Sequence, residues 1–359
     1  MPKGNLVLVP DSEMPSINEA DSNRLVKVQR DILEIIVTSD NFQHAFDSLC
    51  TSAEGIVEGA LASIMFYKES GDALEVRSSP NLPFEAFAKV NGLVPGEKAA
   101  SCGTAVFKEE PQFISDTAND ERWKDHQGLV NDLDIHACWS MPICDKKGSA
   151  VGSFALSSFE KRAPNDFQIN LLQTSAFLAG LILQREQDHK ALYRAAHYDH
   201  LTNLPNRFLF NLHADQAIAR ANRTKTPLSL FFIDLDNFKA LNDELGHEAG
   251  DEALTRIAER MNSNIRKEDL LTRVGGDEFI LMVESARSRN ELTLIAEKLI
   301  KALKEPFVIQ GKKREINASI GISSYPEDGT NVDDLVRKAD KAMYAVKSNP
   351  NAKVQFYSN

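Results

Sequence analysis

Two adjacent glycines, Gly275 and Gly276, stand between apolar runs at 270–274 and 279–283, and Asp277 and Glu278 follow them directly. Glycine supplies the positive φ of a two-residue hairpin turn and lets a ligand approach the backbone without meeting a Cβ. The flanking runs then read as the strands of a hairpin, with both acids at the start of the second strand. Alone, such a turn is an ordinary hairpin with solvated carboxylates. Upstream, however, Asp234 and Asp236 close the apolar run 228–233. A first strand therefore delivers carboxylates to its C-terminal edge, where open α/β sheets bind ligands. If that edge adjoins the hairpin tip, Asp234, Asp277 and Glu278 converge as hard oxygen ligands of the kind that hold paired Mg²⁺ ions roughly 3.5 to 4 Å apart. Without a cation, clustered carboxylates repel and raise one another's pKa.

A chain of 359 residues has room for two domains with full cores. Its net charge of −11 argues against a nucleic-acid partner, which would need a basic stripe to neutralise phosphates. Small anions need only a local cluster of donors or a bound cation. The four cysteines, Cys50, Cys102, Cys138 and Cys144, lack CxxC spacing and the density of a secreted disulfide scaffold. The start has no signal-peptide pattern, and no stretch approaches the roughly 20 apolar residues of a bilayer span. The expectation is a cytoplasmic protein with no membrane partner and a flexible leader over 1–19.

Leu25, Val28, Ile32 and Ile35 recur at helical spacing and predict an amphipathic helix over about 20–39, either a dimer contact or a packing helix. Short strands at 63–67, 112–114, 137–143 and 150–157 make 20–185 one α+β domain with flanking helices. A second long helix follows Pro164, with Asp166 as candidate N-cap and a seam of Leu171, Leu178, Ile182 and Leu192. Its apolar face fades while helix formers continue, which suits a helical linker over 186–198 that crosses between domains or pairs with a copy of itself. Ser175, Arg185 and His189 make that seam a weak zipper. Asn203 and Pro205 break the helix. Residues 199–359 then read as α/β material, antiparallel around a central hairpin.

Six ordered motifs in that half resemble the GGDEF family of diguanylate cyclases: DHLTNLPNR at 199–207, IDLDNFKALND at 233–243, GHEAGDEAL at 246–254, RVGGDEF at 273–279, SIGIS at 319–323 and ADKAMYAVK at 339–347. The resemblance implies a polymerase-palm or nucleotidyl-cyclase-like fold that condenses two GTP into cyclic di-GMP and two pyrophosphates. It implies Mg²⁺, with Mn²⁺ as a possible replacement, held by Asp234, Asp277 and the Leu235 carbonyl. Asp277, Glu278 and Lys239 would carry the chemistry. Gly275, Gly276 and the amides after Asp234 through Phe238 would line the substrate, with Lys239 and Lys347 supplying positive charge. Asn242 and Asp251 would read guanine, whose N1 and N2 hydrogens suit an Asp acceptor that adenine leaves unmatched. Arg266 and Asp269 match the family's inhibitory product site. The family commonly places an Arg where this chain has Asn351, and Lys353 is near enough to substitute. Turnover in this family implies a homodimer, because each domain holds one GTP.

Residues 23–185 resemble a GAF sensor domain through SCGTAVFKEEPQFISDTANDERW at 101–123, HACWSMPI at 136–143 and GSAVGSFALSS at 148–158. Such domains bind cyclic nucleotides, tetrapyrroles, haem or metabolites, or only dimerise, so the small molecule stays unassigned. Cys102 and Cys138 are either a redox pair or packing, and Trp123 and Trp139 either wall a pocket or fill the core. The alternative to a regulated cyclase is a catalytically silent receptor that binds GTP or cyclic di-GMP and signals to a protein partner.

Overall fold

Asn18 accepts a hydrogen bond from the Asp21 N–H and so caps α1 (Glu19–Thr38). The computed structural model describes residues 18–286, 288–349 and 352–358, so residues 1–17 of the expected leader and Asn351 lie outside the described residues. The buried face of α1 is Leu25, Val28, Ile32 and Ile36. The fourth position of the seam thus falls on Ile36, and Ile35 packs beside it half-buried, since the 3.6-residue period leaves either within reach of the core.

The described chain divides into two units after Lys190. In the first, α1 and α2 (Phe42–Ile56) precede β1 (Ala60–Tyr67) and β2 (Leu74–Ser78). Then come α3 (Phe84–Val90), α4 (Ala100–Lys108), β3 (Gln112–Ile114), a 3₁₀ turn (Glu121–His126), α5 (Gln127–Leu133), β4 (Ala137–Cys144) and β5 (Ala150–Ser158). The five strands form one antiparallel sheet in the order β2-β1-β5-β4-β3. Alternation along β4 sends Trp139 and Met141 into the core shared with α1 and α2, and Cys138 into a cluster with Ile114, Trp123 and Val130 on the other face. Trp139 is therefore core.

The helix α6 (Asp166–His197) runs without a break through the division between the units. Its cap is Asn165, not Asp166: Asn165 and Gln168 exchange reciprocal backbone-to-side-chain bonds of 2.9 and 3.0 Å, and Asp166 is the first helical residue, where its charge suits the helix dipole. Leu171, Leu178 and Ile182 are buried, whereas Leu192 is 67 % exposed. The packed face ends at Glu186, which is held by Arg77 at 3.1 Å and Lys190 at 2.8 Å.

The second unit adds α7 (Arg207–Thr224), β6 (Leu228–Asp236), α8 (Phe238–Leu245), α9 (His247–Asn262), β7 (Leu270–Gly275) and β8 (Glu278–Glu284). It continues with α10 (Arg289–Lys304), a small ribbon of β9 (Phe307–Ile309) and β10 (Lys312–Arg314), β11 (Asn317–Tyr325), α11 (Val332–Lys347) and β12 (Val354–Phe356). The main sheet runs β12-β11-β6-β8-β7, antiparallel except for the parallel β11–β12 pair. The strand β6 is therefore central, and the hairpin lies to one side with β7 at the edge, a correction to the expected central hairpin. Both faces of β6 are buried: Phe231, Ile233 and Leu235 pack toward the core of α9 and α10, and Leu228, Leu230 and Phe232 toward α7 and α11. Burial on two faces is why β6 reads as an unbroken apolar run. The buried side of α7 is largely alanine, Ala214, Ala217 and Ala221, which gives little apolar contrast to read in sequence. Among the described residues, no helix is long and apolar enough to cross a membrane.

Candidate active site

The register of β6 against β8 pairs Asp234 directly with Glu278. Gly275 pairs with Glu278 across the hairpin, so the two turn residues are Gly276 and Asp277 rather than the two glycines. Gly275 and Gly276 have φ of 153° and 53°, and a Cβ added at either would meet open space. Backbone conformation, not crowding, selects glycine there. The Leu235 N–H donates to the Asp277 carbonyl at 3.2 Å, which ties the central strand to the turn. Asp234, Leu235, Asp277 and Glu278 thereby share one sheet edge.

That edge is rich in negative charge. Burial first, then the neighbouring charges of Asp277 and Asp236, hold the Asp234 carboxyl above its usual pKa even though the Lys347 ammonium lies 2.7 Å away. Burial, Asp234, Asp340 and Asp277 likewise raise Glu278. Lys347 has a raised pKa: its own desolvation opposes protonation, but Asp234, Asp277 and Asp236 outweigh it. Lys347 occupies the place a cation would take at Asp234. Among the described residues no three acidic, His or Cys side chains converge as a preformed metal cage. The donor set still fits a hard divalent cation in chemistry: the carboxylates of Asp234, Asp277 and Glu278 and the Leu235 backbone carbonyl at one sheet edge.

Next to these acids, Asn237 adopts a left-handed conformation (φ 59°) and α8 begins at Phe238. The Leu235 amide is already committed to Asp277, so it does not belong to the expected run of free donors. The amides of the first turn of α8, starting with Phe238 and Lys239, have no intrahelical acceptor and suit an anion. The Lys239 side chain is exposed, whereas Phe238 is buried. Farther along α8, Asn242 Oδ1 is buried without a hydrogen-bond partner. A Cβ on Gly250 of α9 would collide with that oxygen. The glycine leaves room for the Asn242 amide, and Asp251 is exposed beside it. The Lys353 ammonium is 2.7 Å from Asp236, which also accepts from Ser319 Oγ at 2.7 Å.

Arg273 and Asp199 were motif residues without an assigned role in the sequence. The Arg273 guanidinium pairs with Asp199 at 2.8 Å and donates Nε and Nη2 to the Gly276 carbonyl at 3.1 and 2.9 Å. Asp199 also accepts from the Thr202 N–H and hydroxyl. The entry turn of the unit is thus bolted to the hairpin tip. Charge-complementary spacing offers no way to see this from sequence, since Asp199 and Arg273 belong to separate motifs.

Arg266 and Asp269 adjoin at a separate groove of about 290 Å³ that also includes Asn264, Glu291 and Lys298. Asp269 Oδ2 accepts from the Arg266 N–H at 3.3 Å, while Oδ1 is buried without a partner. The Arg266 guanidinium turns instead to Glu291 at 3.2 Å. Burial is the main cause that raises Asp269, followed by Glu268.

Residues 196–353 match the family described as diguanylate cyclase, GGDEF domain, and residues 39–184 match the GAF domain family. The bifunctional diguanylate cyclase/cyclic di-GMP phosphodiesterase MucR of Pseudomonas aeruginosa is 43 % identical over 159 residues, which cover 44 % of this chain and 23 % of MucR. The diguanylate cyclase TpbB of the same species is 37 % identical over 197 residues, 53 % of this chain and 45 % of TpbB. The solved GGDEF domain of TpbB is 36 % identical, with 45 % of this chain and 95 % of that one covered and a TM-score of 0.44. The chain spans less than half the length of these two curated relatives.

Proposed function

Residues 39–184 belong to the GAF family and residues 196–353 to the GGDEF diguanylate cyclase family, and from that premise we propose that this protein is a diguanylate cyclase. It condenses two GTP into cyclic di-GMP and two pyrophosphates, under control of the GAF domain and of product feedback. The observation that carries the reading is the Asp234–Glu278 register, with Asp277 in the turn and the open amides of α8 alongside.

Each GGDEF domain holds one GTP. The first-turn amides of α8 and the Lys239 ammonium bind its phosphates, and Lys347 stays beside Asp234 to balance charge. Asn242 and Asp251 accept guanine hydrogens; the buried, unpartnered Oδ1 of Asn242 supports this role. Mg²⁺ or Mn²⁺, held by Asp234, Asp277 and the Leu235 carbonyl, would stabilise phosphate charge and acidify the attacking hydroxyl. Glu278, whose raised pKa reflects its buried acidic surroundings, stands ready beside that hydroxyl. Two such domains must face each other, so that each 3′-hydroxyl oxygen attacks the other nucleotide's α-phosphorus as pyrophosphate leaves. A homodimer is therefore the working form. Incubation with GTP and Mg²⁺ followed by mass detection of cyclic di-GMP tests the reading; GTP binding without product would instead identify a silent receptor.

Arg266→Ala should raise the cyclic di-GMP concentration needed for half-inhibition by about tenfold or more, the worth of a charged hydrogen bond, with the initial rate unchanged. Inhibition curves on the wild type and the variant check this, and superimposable curves would remove the feedback site. Arg273→Ala should destabilise the C-terminal unit by about 2 kcal/mol. It should also lower turnover roughly 10- to 100-fold, because the hairpin tip loses its tether. Lysine at 273 restores the charge but not the fork that holds both Asp199 and Gly276, so Arg273→Lys should rescue little.

A further inference from the structure

The N-terminal unit carries a second built site, which the cyclase reading does not use. Ser140 Oγ lies 3.3 Å from Cys102 Sγ on α4 and 3.9 Å from Cys138 Sγ on β4. Ser157 Oγ donates to Cys138 Sγ at 3.5 Å, and the two thiols meet around one Ser140 hydroxyl. Both cysteines line a cavity of about 380 Å³ whose wall is chiefly apolar, with Leu61, Met65, Leu129 and Trp123 among its members. Trp123 is part of that wall as well as buried: its indole N–H donates to Ser101 Oγ at 3.0 Å, and Ser101 Oγ donates to the Cys138 carbonyl at 3.1 Å. The cavity thus has a greasy body and a thiol-hydroxyl end. Cys138 is buried and Cys102 partly exposed.

We propose that Cys102 and Cys138 form a modification site for an organic hydroperoxide admitted by this cavity, which oxidises the pair to an internal disulfide. The apolar wall takes the organic group, and the hydroxyl-lined end takes the peroxide. The neighbouring Cys102 thiol first, then the hydroxyls of Ser101, Ser157 and Ser140, outweigh burial and lower the Cys138 thiol below its usual value. The adjoining Cys138 sulfur and burial together keep the Cys102 thiol well above its usual value. The Cys138 thiolate attacks the terminal peroxide oxygen; the O–O bond breaks, the alcohol leaves with a proton, and Cys138 becomes a sulfenic acid. Cys102 sulfur then attacks the Cys138 sulfur, the S–O bond breaks, and water leaves with the Cys102 proton. Two thiols lose two electrons and the O–O bond accepts them. A dithiol reductant of the thioredoxin class reverses the step. The other cysteines contrast with the pair: burial pushes Cys50 up to about 12, and burial with Glu109 and Asp145 raises the exposed Cys144.

The test treats the reduced full-length protein with cumene hydroperoxide and maps its peptides without reduction by mass spectrometry. A Cys102–Cys138 cross-link, lighter by two hydrogens, should form on the order of tenfold faster than oxidation at Cys144 and disappear with dithiothreitol. Cumene hydroperoxide should outpace hydrogen peroxide at equal concentration. In Cys102→Ser the reaction should stop at a sulfenic acid on Cys138 that dimedone traps. Oxidation of Cys144 while the pair stays reduced would overturn the proposal, as would a cross-link that forms only in denaturant. The wild-type map decides even if the variant fails to fold, and because it reads sulfur chemistry alone, its failure is distinct from failure of the cyclase reading.

Discussion

Asp277→Ala is expected to lower cyclic di-GMP formation by on the order of 10²–10³-fold, the scale on which removal of one electrostatic stabiliser acts in a water-poor site. The side chain is the only thing lost. Asp277 holds the hairpin to β6 through its carbonyl, which accepts from Leu235 N–H and which alanine retains. Its φ is not positive, so alanine adds no backbone strain. Thermal unfolding should therefore stay within about 0.5 kcal/mol of the wild type. Product assay with GTP and Mg²⁺, run beside an unfolding curve, separates the two effects. Turnover at the wild-type rate would show that Asp277 is not in the catalytic machinery, and loss of folding would show that the turn depends on its carboxylate.

Gly321→Ala should unfold the C-terminal unit far more readily while touching no site residue. Gly321 sits in the middle of β11, where a Cβ would run into the backbone of α11 at Ala339 and Met343 and come within 2.9 Å of the Ala342 carbonyl carbon. Backbone cannot swing aside as a side-chain end can, so α11 must lift from the sheet. Overpacking of this kind costs about 3 kcal/mol. For a unit of this size that corresponds to a fall of roughly 6–12 °C in its unfolding temperature. Because α11 carries Lys347, activity should fall as well. Calorimetry that resolves the two units checks this, and an unchanged C-terminal transition would mean that the helix has slack to give.

Much of the fold was readable because its signals are local. The apolar run at 228–233 and the glycine pair each state a backbone requirement within a few residues. The site was readable in part: Asp234, Asp277, Glu278, Lys347 and Asn242 were named from motif positions, and the fold brings the first four to one edge. The errors were of neighbourhood. The hairpin looked central, yet β7 is an edge strand. Arg273 and Asp199 had no visible connection at all.

Strand pairing accounts for that division. Period-two alternation and turn chemistry say that a segment is a strand and where it ends, and they live in the order of residues along the chain. Register and strand order depend on which segments find each other across the core, where a slip of one residue turns every side chain to the opposite face. The acidic strand ends, the glycine turn and the order of motifs were written in the chain. The pairing of Asp234 with Glu278, the clamp of Arg273 on Gly276, the seating of the Asn242 amide against Gly250 and the meeting of Cys102 with Cys138 around Ser140 came only from packing, because each joins residues from separate elements through space.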